Sequence, residues 1–383
     1  MAPSLTPKTP ENDAAESQPD LFKRFDVVSD PSDHHFYSSN LPKNTAGQGC
    51  FTSGGSKVHK KIMQEWKILE KHLPDSIYVR VYDTRIDLLQ AVIVGAAGTP
   101  YHDALFFFDI AFPTDYPTRP PQVYYHSFGN RVNPNLYASG YVCLSLLNTW
   151  SGSKAQKWDP SQSTILQVLV SIQGLVLNEK PFFNEPGTGI FGRGWLENTA
   201  QAYGENAFLL THKTTHILLR RPPKHFRAFV AEHFRQRAGA ILRACIAYAN
   251  GLVAVGEYKE KEEGQQNGAV SVIKVRQSFR EALEKLYVEL YKDFKWNGDS
   301  LVGLPELLKV EVAKTTPSAL KVEAAKTTPS PRKKGSSGSI VGRVFRKLKK
   351  VLGLGPKNKI GKKGGSESKR KAGVAAAAAD WGL

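Results

Sequence analysis

Three short runs of β-branched, aromatic and aliphatic residues, 77–82, 88–94 and 105–111, constrain this chain more than any other feature. Each has the length of a strand. Turn-forming clusters separate them, Asp83-Thr84 in one gap and Gly95 to Thr99 in the other. Strands joined in this way read as an antiparallel meander. A Pro-rich passage follows and must run extended, because a residue before proline is driven out of the α region. It leads to a fourth run at 122–125. Residues 127–160 then show little periodicity and many Asn, Gly and Ser. Loops of that length are uncommon in compact domains and are often functional. Behind them lies the longest near-apolar stretch, 13 residues from Ile165 to Leu177, interrupted by Gln167, Ser171 and Gln173. A membrane span needs about 20 apolar residues, so 164–177 reads as a buried core helix.

The flanks are expected to be helical or unstructured. Residues 1–56 are rich in Pro, Ser, Asp, Asn and Gly and lack a hydrophobic period, which predicts disorder. Val58, Ile62, Trp66 and Leu69 predict a surface helix over 57–73. After the Pro/Gly-rich residues 180–189, helical patterning resumes near Gly194. A stripe of Phe226, Val230, Phe234, Ala238, Ile241, Leu242 and Cys245 predicts a helix over 224–250, stopped at Asn250-Gly251. Val275, Phe279, Leu283, Leu286 and Leu290 mark another over 272–294. Each has a face that needs burial.

Beyond Leu308 the character changes. Val310-Glu-Val-Ala-Lys-Thr-Thr-Pro-Ser318 returns as Val322-Glu-Ala-Ala-Lys-Thr-Thr-Pro-Ser330, a repeat too polar to build a core. The formal net charge of +17 belongs to this tail. Residues 309–383 hold 19 Lys and Arg against 4 Asp and Glu, and the other 308 residues hold 33 against 31. Contact with anionic lipid or nucleic acid is therefore an expectation for residues 340–371 alone, where a basic amphipathic stretch is followed by lysine clusters.

Three cysteines, Cys50, Cys143 and Cys245, are too few and too scattered for a disulfide framework or a zinc cluster. A reducing compartment fits them best. No apolar run after a basic start suggests a secretory signal in the first 30 residues, so a cytoplasmic or nuclear location, with peripheral membrane association through the tail, is expected. Cys143 stands within the irregular stretch, in Gly140-Tyr-Val-Cys-Leu-Ser-Leu-Leu147, eight residues after Asn135. A free cysteine is most often a small buried hydrophobe. A nearby side-chain amide, however, can donate to a tetrahedral oxyanion. No neighbouring His or Asp forms a protease-like triad, so the thiol suits a reaction that needs no dedicated strong base.

These residues carry a resemblance. Tyr101, the run Phe106-Phe107-Phe108-Asp-Ile-Ala-Phe112-Pro113-Thr114-Asp115-Tyr116-Pro117-Thr-Arg-Pro120-Pro121, Asn135 and Cys143 with seven residues between them, Trp158-Asp159-Pro160 and the buried helix behind them resemble ubiquitin-conjugating enzymes (E2) in order over 57–211. The long loop 146–158 and Asn184-Glu185-Pro186-Gly187 look more like the large subgroup that includes E2/E3 hybrids and big plant E2s. The resemblance implies an α+β fold, a four-stranded antiparallel meander with flanking helices, and composition places a disordered segment (1–56) ahead of it. A helical extension (212–300) and a basic, repeat-containing disordered tail (301–383) would follow the 57–211 core. It implies that Cys143 accepts ubiquitin from an activating enzyme (E1) as a thioester and passes it to substrate lysines. Asn135 would stabilise the oxyanion or hold the loop, and Glu185 would orient or deprotonate the amine. No cofactor is implied, since the E1 partner uses the ATP.

Three departures stand out. Asn133 replaces the His of the family's His-Pro-Asn motif. The loop after the cysteine is long. Thr118 occupies the apolar position after Tyr-Pro that minimal E2s offer to an E3 ligase, and a threonine gives less anchoring area. Lys57, Lys60, Lys61 and Lys67 are candidates for E1 contact. Trp150 and Trp158 are expected to anchor the loop. The alternatives are a catalytically silent variant that binds ubiquitin or a partner, an adaptor acting through the tail, and transfer of a ubiquitin-like modifier.

Overall fold

The computed structural model describes residues 22–38, 51, 53–185, 193–260 and 273–308. The apolar runs form strands β2 (Ile77–Tyr82), β3 (Leu88–Val94), β4 (Leu105–Ala111) and β5 (Gln122–Tyr125), and consecutive strands pair antiparallel as the turn chemistry requires. A strand ahead of them, β1 (Phe25–Val28), pairs parallel with β2, so the sheet has five strands in the order β1-β2-β3-β4-β5. This corrects the expected strand count, and it replaces the disorder expected over residues 25–28 by a paired strand. Four residues are too few to show a period. What orders them is aromatic packing: the Phe25 ring lies 6.4 Å from Trp66, and Phe22 lies beneath the Arg80 guanidinium at 4.1 Å.

Helix α1 (Lys57–His72) starts at Ser56, whose hydroxyl accepts from the Val58 amide. It buries Ile62 and Leu69 fully. Glu65 is buried beside them and accepts hydrogen bonds from the Tyr116 hydroxyl (2.8 Å) and the Ile165 amide (3.0 Å). The second bond caps α2 (Ile165–Ser171), a helix that also begins with a Thr164/Gln167 capping box. α2 ends in a wider turn, Ile172–Val176, in which the Leu177 amide reaches back five residues to Ile172.

One face of the sheet (Val79, Ala91, Phe106, Phe108) packs with α1 and α2. The other face carries Val92, Leu105 and Phe107, and these join a second core with α3 (Arg193–Arg220), α4 (Arg227–Ala249) and α5 (Gln277–Trp296). The stripe read over 224–250 is buried, Cys245 included, with Phe226 just ahead of α4; on α5 Phe279, Leu283, Leu286 and Leu290 are buried, while Val275 lies before the helix and is half-buried. α3 runs without a break through residues 211–212, where a boundary was expected. Asp103 fastens the two parts. Its carboxylate accepts from His102 (2.7 Å) and from Arg237 of α4 (2.8 Å), and its carbonyl pairs with His233. No helix of the described residues is long and apolar enough to cross a membrane.

Candidate active site

The loop between β5 and α2 is tied down at Gly140. Its φ of +85° is the left-handed region, and an added Cβ would lie 2.1 Å from the Tyr124 ring. The close approach lets the Gly140 carbonyl accept from the Tyr125 amide and directs the chain through Val142 toward Cys143. There the loop closes on itself. The Cys143 amide donates to the Asn135 carbonyl (2.9 Å), and Asn135 Nδ2 donates to the Cys143 carbonyl (2.9 Å). Asn135 is thus a reciprocal clamp on the residue that bears the thiol.

Asn133 holds the clamp. Fully buried, it donates from Nδ2 to the Tyr101 hydroxyl (2.8 Å) and the Val176 carbonyl (2.7 Å). Its Oδ1 accepts from the Asn135 amide (2.9 Å) and, more weakly, from Asn184 Nδ2 (3.3 Å). Asn184 also donates to the Val176 carbonyl (3.0 Å) and accepts from Asn178 (2.6 Å). The wide turn at the end of α2 leaves that carbonyl open to side-chain amides. An amide therefore does at 133 what a histidine, with one donor and one acceptor when neutral, could do only in part.

Cys143 is 4% exposed. Burial pushes its thiol pKa up, and Glu185 adds to the rise, while the Tyr137 hydroxyl and the Arg131 guanidinium favour the thiolate. None of these groups is a histidine. Arg131 stacks over the Tyr137 ring at 4.3 Å, lies 3.9 Å from the Glu185 carboxylate and donates to the Pro134 carbonyl (3.3 Å). Glu185 arrives on the turn that follows Pro181–Asn184. The structure therefore gathers Cys143, Asn135 and Glu185 at one place and adds Arg131, Tyr137 and Asn184. Arg131 and Tyr137 flank Asn133-Pro134-Asn135 closely, the one sequence signal that could have singled them out.

Trp158 is in the core, with its indole N–H on the Pro117 carbonyl (2.7 Å), whereas Trp150 is half-buried. Thr118 is exposed, as are Lys57, Lys60 and Lys67; Lys61 instead reaches Glu65 at 3.5 Å. Among the described residues no group of three or more His, Cys, Asp or Glu could hold a metal. Cys50 and the expected tail contacts at 340–371 lie outside the described residues.

A five-stranded sheet backed by a buried helix, with Cys143 clamped by Asn135 midway along the loop between them, defines an α+β protein. Residues 61–208 match the family described as ubiquitin-conjugating enzyme. The chain is 52% identical over 259 residues to the probable ubiquitin-conjugating enzyme E2 25 of Arabidopsis thaliana, which covers 67% of this chain and 41% of that protein. It is 48% identical over 274 residues to the putative ubiquitin-conjugating enzyme E2 38 of the same plant, covering 70% of this chain and 82% of that one. A more distant relative is the human dual E2 ubiquitin-conjugating enzyme/E3 ubiquitin-protein ligase BIRC6, 33% identical over 69% of this chain and 6% of its own length. The chain belongs to the ubiquitin-conjugating enzyme family, whose members are transferases. It spans less than half of E2 25 and most of E2 38.

Proposed function

We propose that this protein carries ubiquitin as a thioester on Cys143 and delivers it to lysine side chains. The observation that supports this most is the reciprocal clamp between Asn135 and Cys143. The Cys143 thiolate attacks the carbonyl carbon of the E1 thioester; the new C–S bond forms, the old one breaks, and the E1 thiolate leaves. A neutral lysine amine then attacks the same carbon, the C–N bond forms, and Cys143 leaves as the thiolate. Glu185 takes the amine's proton. Asn135 holds Cys143 in place at rest and offers its amide to the oxyanion, a contact whose removal typically costs roughly 10²–10³ in rate. At 4% exposure Cys143 must become more open before a thioester can reach it.

Three finer points belong to the same reading. The partners are E1, ubiquitin and protein substrates. The exposed Thr118 gives an E3 ligase a weak anchor, so substrate selection by the chain itself, in the manner of an E2/E3 hybrid, follows naturally. The basic residues 340–371 add weak docking to an anionic membrane or nucleic acid, with cytoplasmic or nuclear residence.

The test is a charging gel with E1, ATP and ubiquitin. Wild type should form an adduct that a reducing agent removes, Cys143→Ala none, and Cys143→Ser a reductant-resistant ester. A reductant-sensitive adduct persisting in Cys143→Ala would defeat the assignment. The near burial of Cys143 favours one rival, a silent variant that only binds ubiquitin or a partner, and for it wild type would remain uncharged. Competition among purified modifiers separates ubiquitin from ubiquitin-like proteins.

A further inference from the structure

Arg131 touches every other group that acts on the thiol, although it lies outside the motif that marks the site. From the geometry we infer that Arg131 is a positioning residue for both acyl-transfer steps, bracing Tyr137 against Cys143 on one side and holding Glu185 on the other. The inference rests on the transfer chemistry proposed above. Its contacts include the Tyr137 ring at 4.3 Å, the Glu185 carboxylate at 3.9 Å and the Pro134 carbonyl at 3.3 Å. Together they fix a long side chain that is 22% exposed. A planar guanidinium stacks on an aromatic face while its fork pairs with a carboxylate, a geometry that the compact lysine ammonium does not reproduce.

The charges around the thiol set opposing demands. Burial and the Glu185 carboxylate oppose the thiolate, while Arg131 and Tyr137 favour it. Tyr203 of α3 faces the same Arg131–Glu185 pair. By neutralising Glu185, Arg131 removes its repulsion in the first step, where Cys143 must be ionised to attack. In the second step the incoming lysine must be neutral, and a neighbouring cation disfavours its ammonium form. Glu185, already beside the thiol, then receives the proton. One fixed cation thus assists thiolate formation and amine deprotonation alike, and its loss moves both pH profiles upward.

The experiment measures single-turnover charging from E1-linked ubiquitin, and discharge of the isolated thioester onto free lysine, between about pH 6 and pH 9. Arg131→Ala should move the midpoints of both profiles upward by roughly 0.5–1 pH unit and lower both rates at neutral pH. Arg131→Lys should keep its midpoints near wild type while losing part of the rate. Glu185→Gln should move the charging midpoint downward, the opposite sign. If Arg131→Ala does not fold, as judged by its thermal melt, Arg131→Lys and Glu185→Gln carry the test. Profiles that superimpose on wild type after scaling would mean that Arg131 merely supports the loop, and would overturn the inference alone. A wild-type protein that forms no Cys143-dependent adduct would overturn the transfer reading and this inference together.

Discussion

Replacing Asn133 by alanine should destabilise the protein more than any other single change in the catalytic loop. The side chain is fully buried and makes three strong hydrogen bonds, to Val176, Tyr101 and the Asn135 amide. Each is worth about 1 kcal/mol net. Val176 keeps Asn184 as a donor and Tyr101 keeps the Val132 carbonyl as an acceptor, so these two are not left stranded. The Asn135 amide is stranded, and an unpaired buried N–H costs about 1–3 kcal/mol. The loss comes to about 3–5 kcal/mol, which for a folded unit of this size lowers the melting temperature by roughly 6–20 °C. Circular dichroism melts of wild type, Asn133→Ala and Asn133→His would check it. Histidine should fall between the other two, because it restores one donor and one acceptor. A loss below about 3 °C for alanine, or identical melts for alanine and histidine, would refute the view that this amide holds the loop.

Two further outcomes follow from the contacts between the sheet and the C-terminal helices. Paired with His102 and Arg237, Asp103 has its carboxyl pKa held down at about 2 against the opposing effect of burial, so its contribution is complete above the ordinary carboxylate value and disappears as pH falls toward about 2. Asp103→Asn, which tolerates the φ of 64° found there, should lower stability at neutral pH by about 2 kcal/mol. The gap in melting temperature from wild type should close between about pH 4 and pH 2, and a gap that stayed constant would contradict the assignment. Ending the chain at residue 211 should leave Val92, Leu105 and Phe107 uncovered. Burial of each such side chain is worth about 1.5–3 kcal/mol, so the truncated protein should aggregate or bind a hydrophobic dye on expression, and a soluble monomer with a wild-type melt would count against an integral extension.

Particular residues show where sequence reading sufficed and where it stopped. Ile77–Tyr82, Leu88–Val94 and Leu105–Ala111 announced the meander because short apolar runs between turn residues have few other solutions. Phe106-Phe107-Phe108 carries a further signal. An unbroken apolar run means burial on both faces, and Phe107 packs on Phe226, just ahead of α4, while Phe106 and Phe108 belong to the core with α1 and α2. β1 was invisible because four residues, one of them Asp26, show no period; Phe22 and Phe25 acquire meaning only once Arg80 and Trp66 are beside them. α3 was hard to delimit because it is buried on several sides, with Thr211, His212 and Thr215 inside it among Phe208 and its neighbours, so no clean stripe marks it.

At the site, the spacing of Asn135 and Cys143 was legible because eight residues of loop that reverse at Gly140 return the chain to its own start. That is local chemistry, and local chemistry is written in order along the chain. The meander, the buried helix and the clamped thiol belong to this category. The Arg131–Glu185 pairing spans 54 residues, and Asn133 meets Val176 across 43. Such contacts depend on where α2 ends and how its last turn widens, and the pattern of apolar and polar residues does not encode those positions. Which groups surround the sulfur, and therefore how readily it ionises, was decided only when the sheet, α2 and the turn after it packed together.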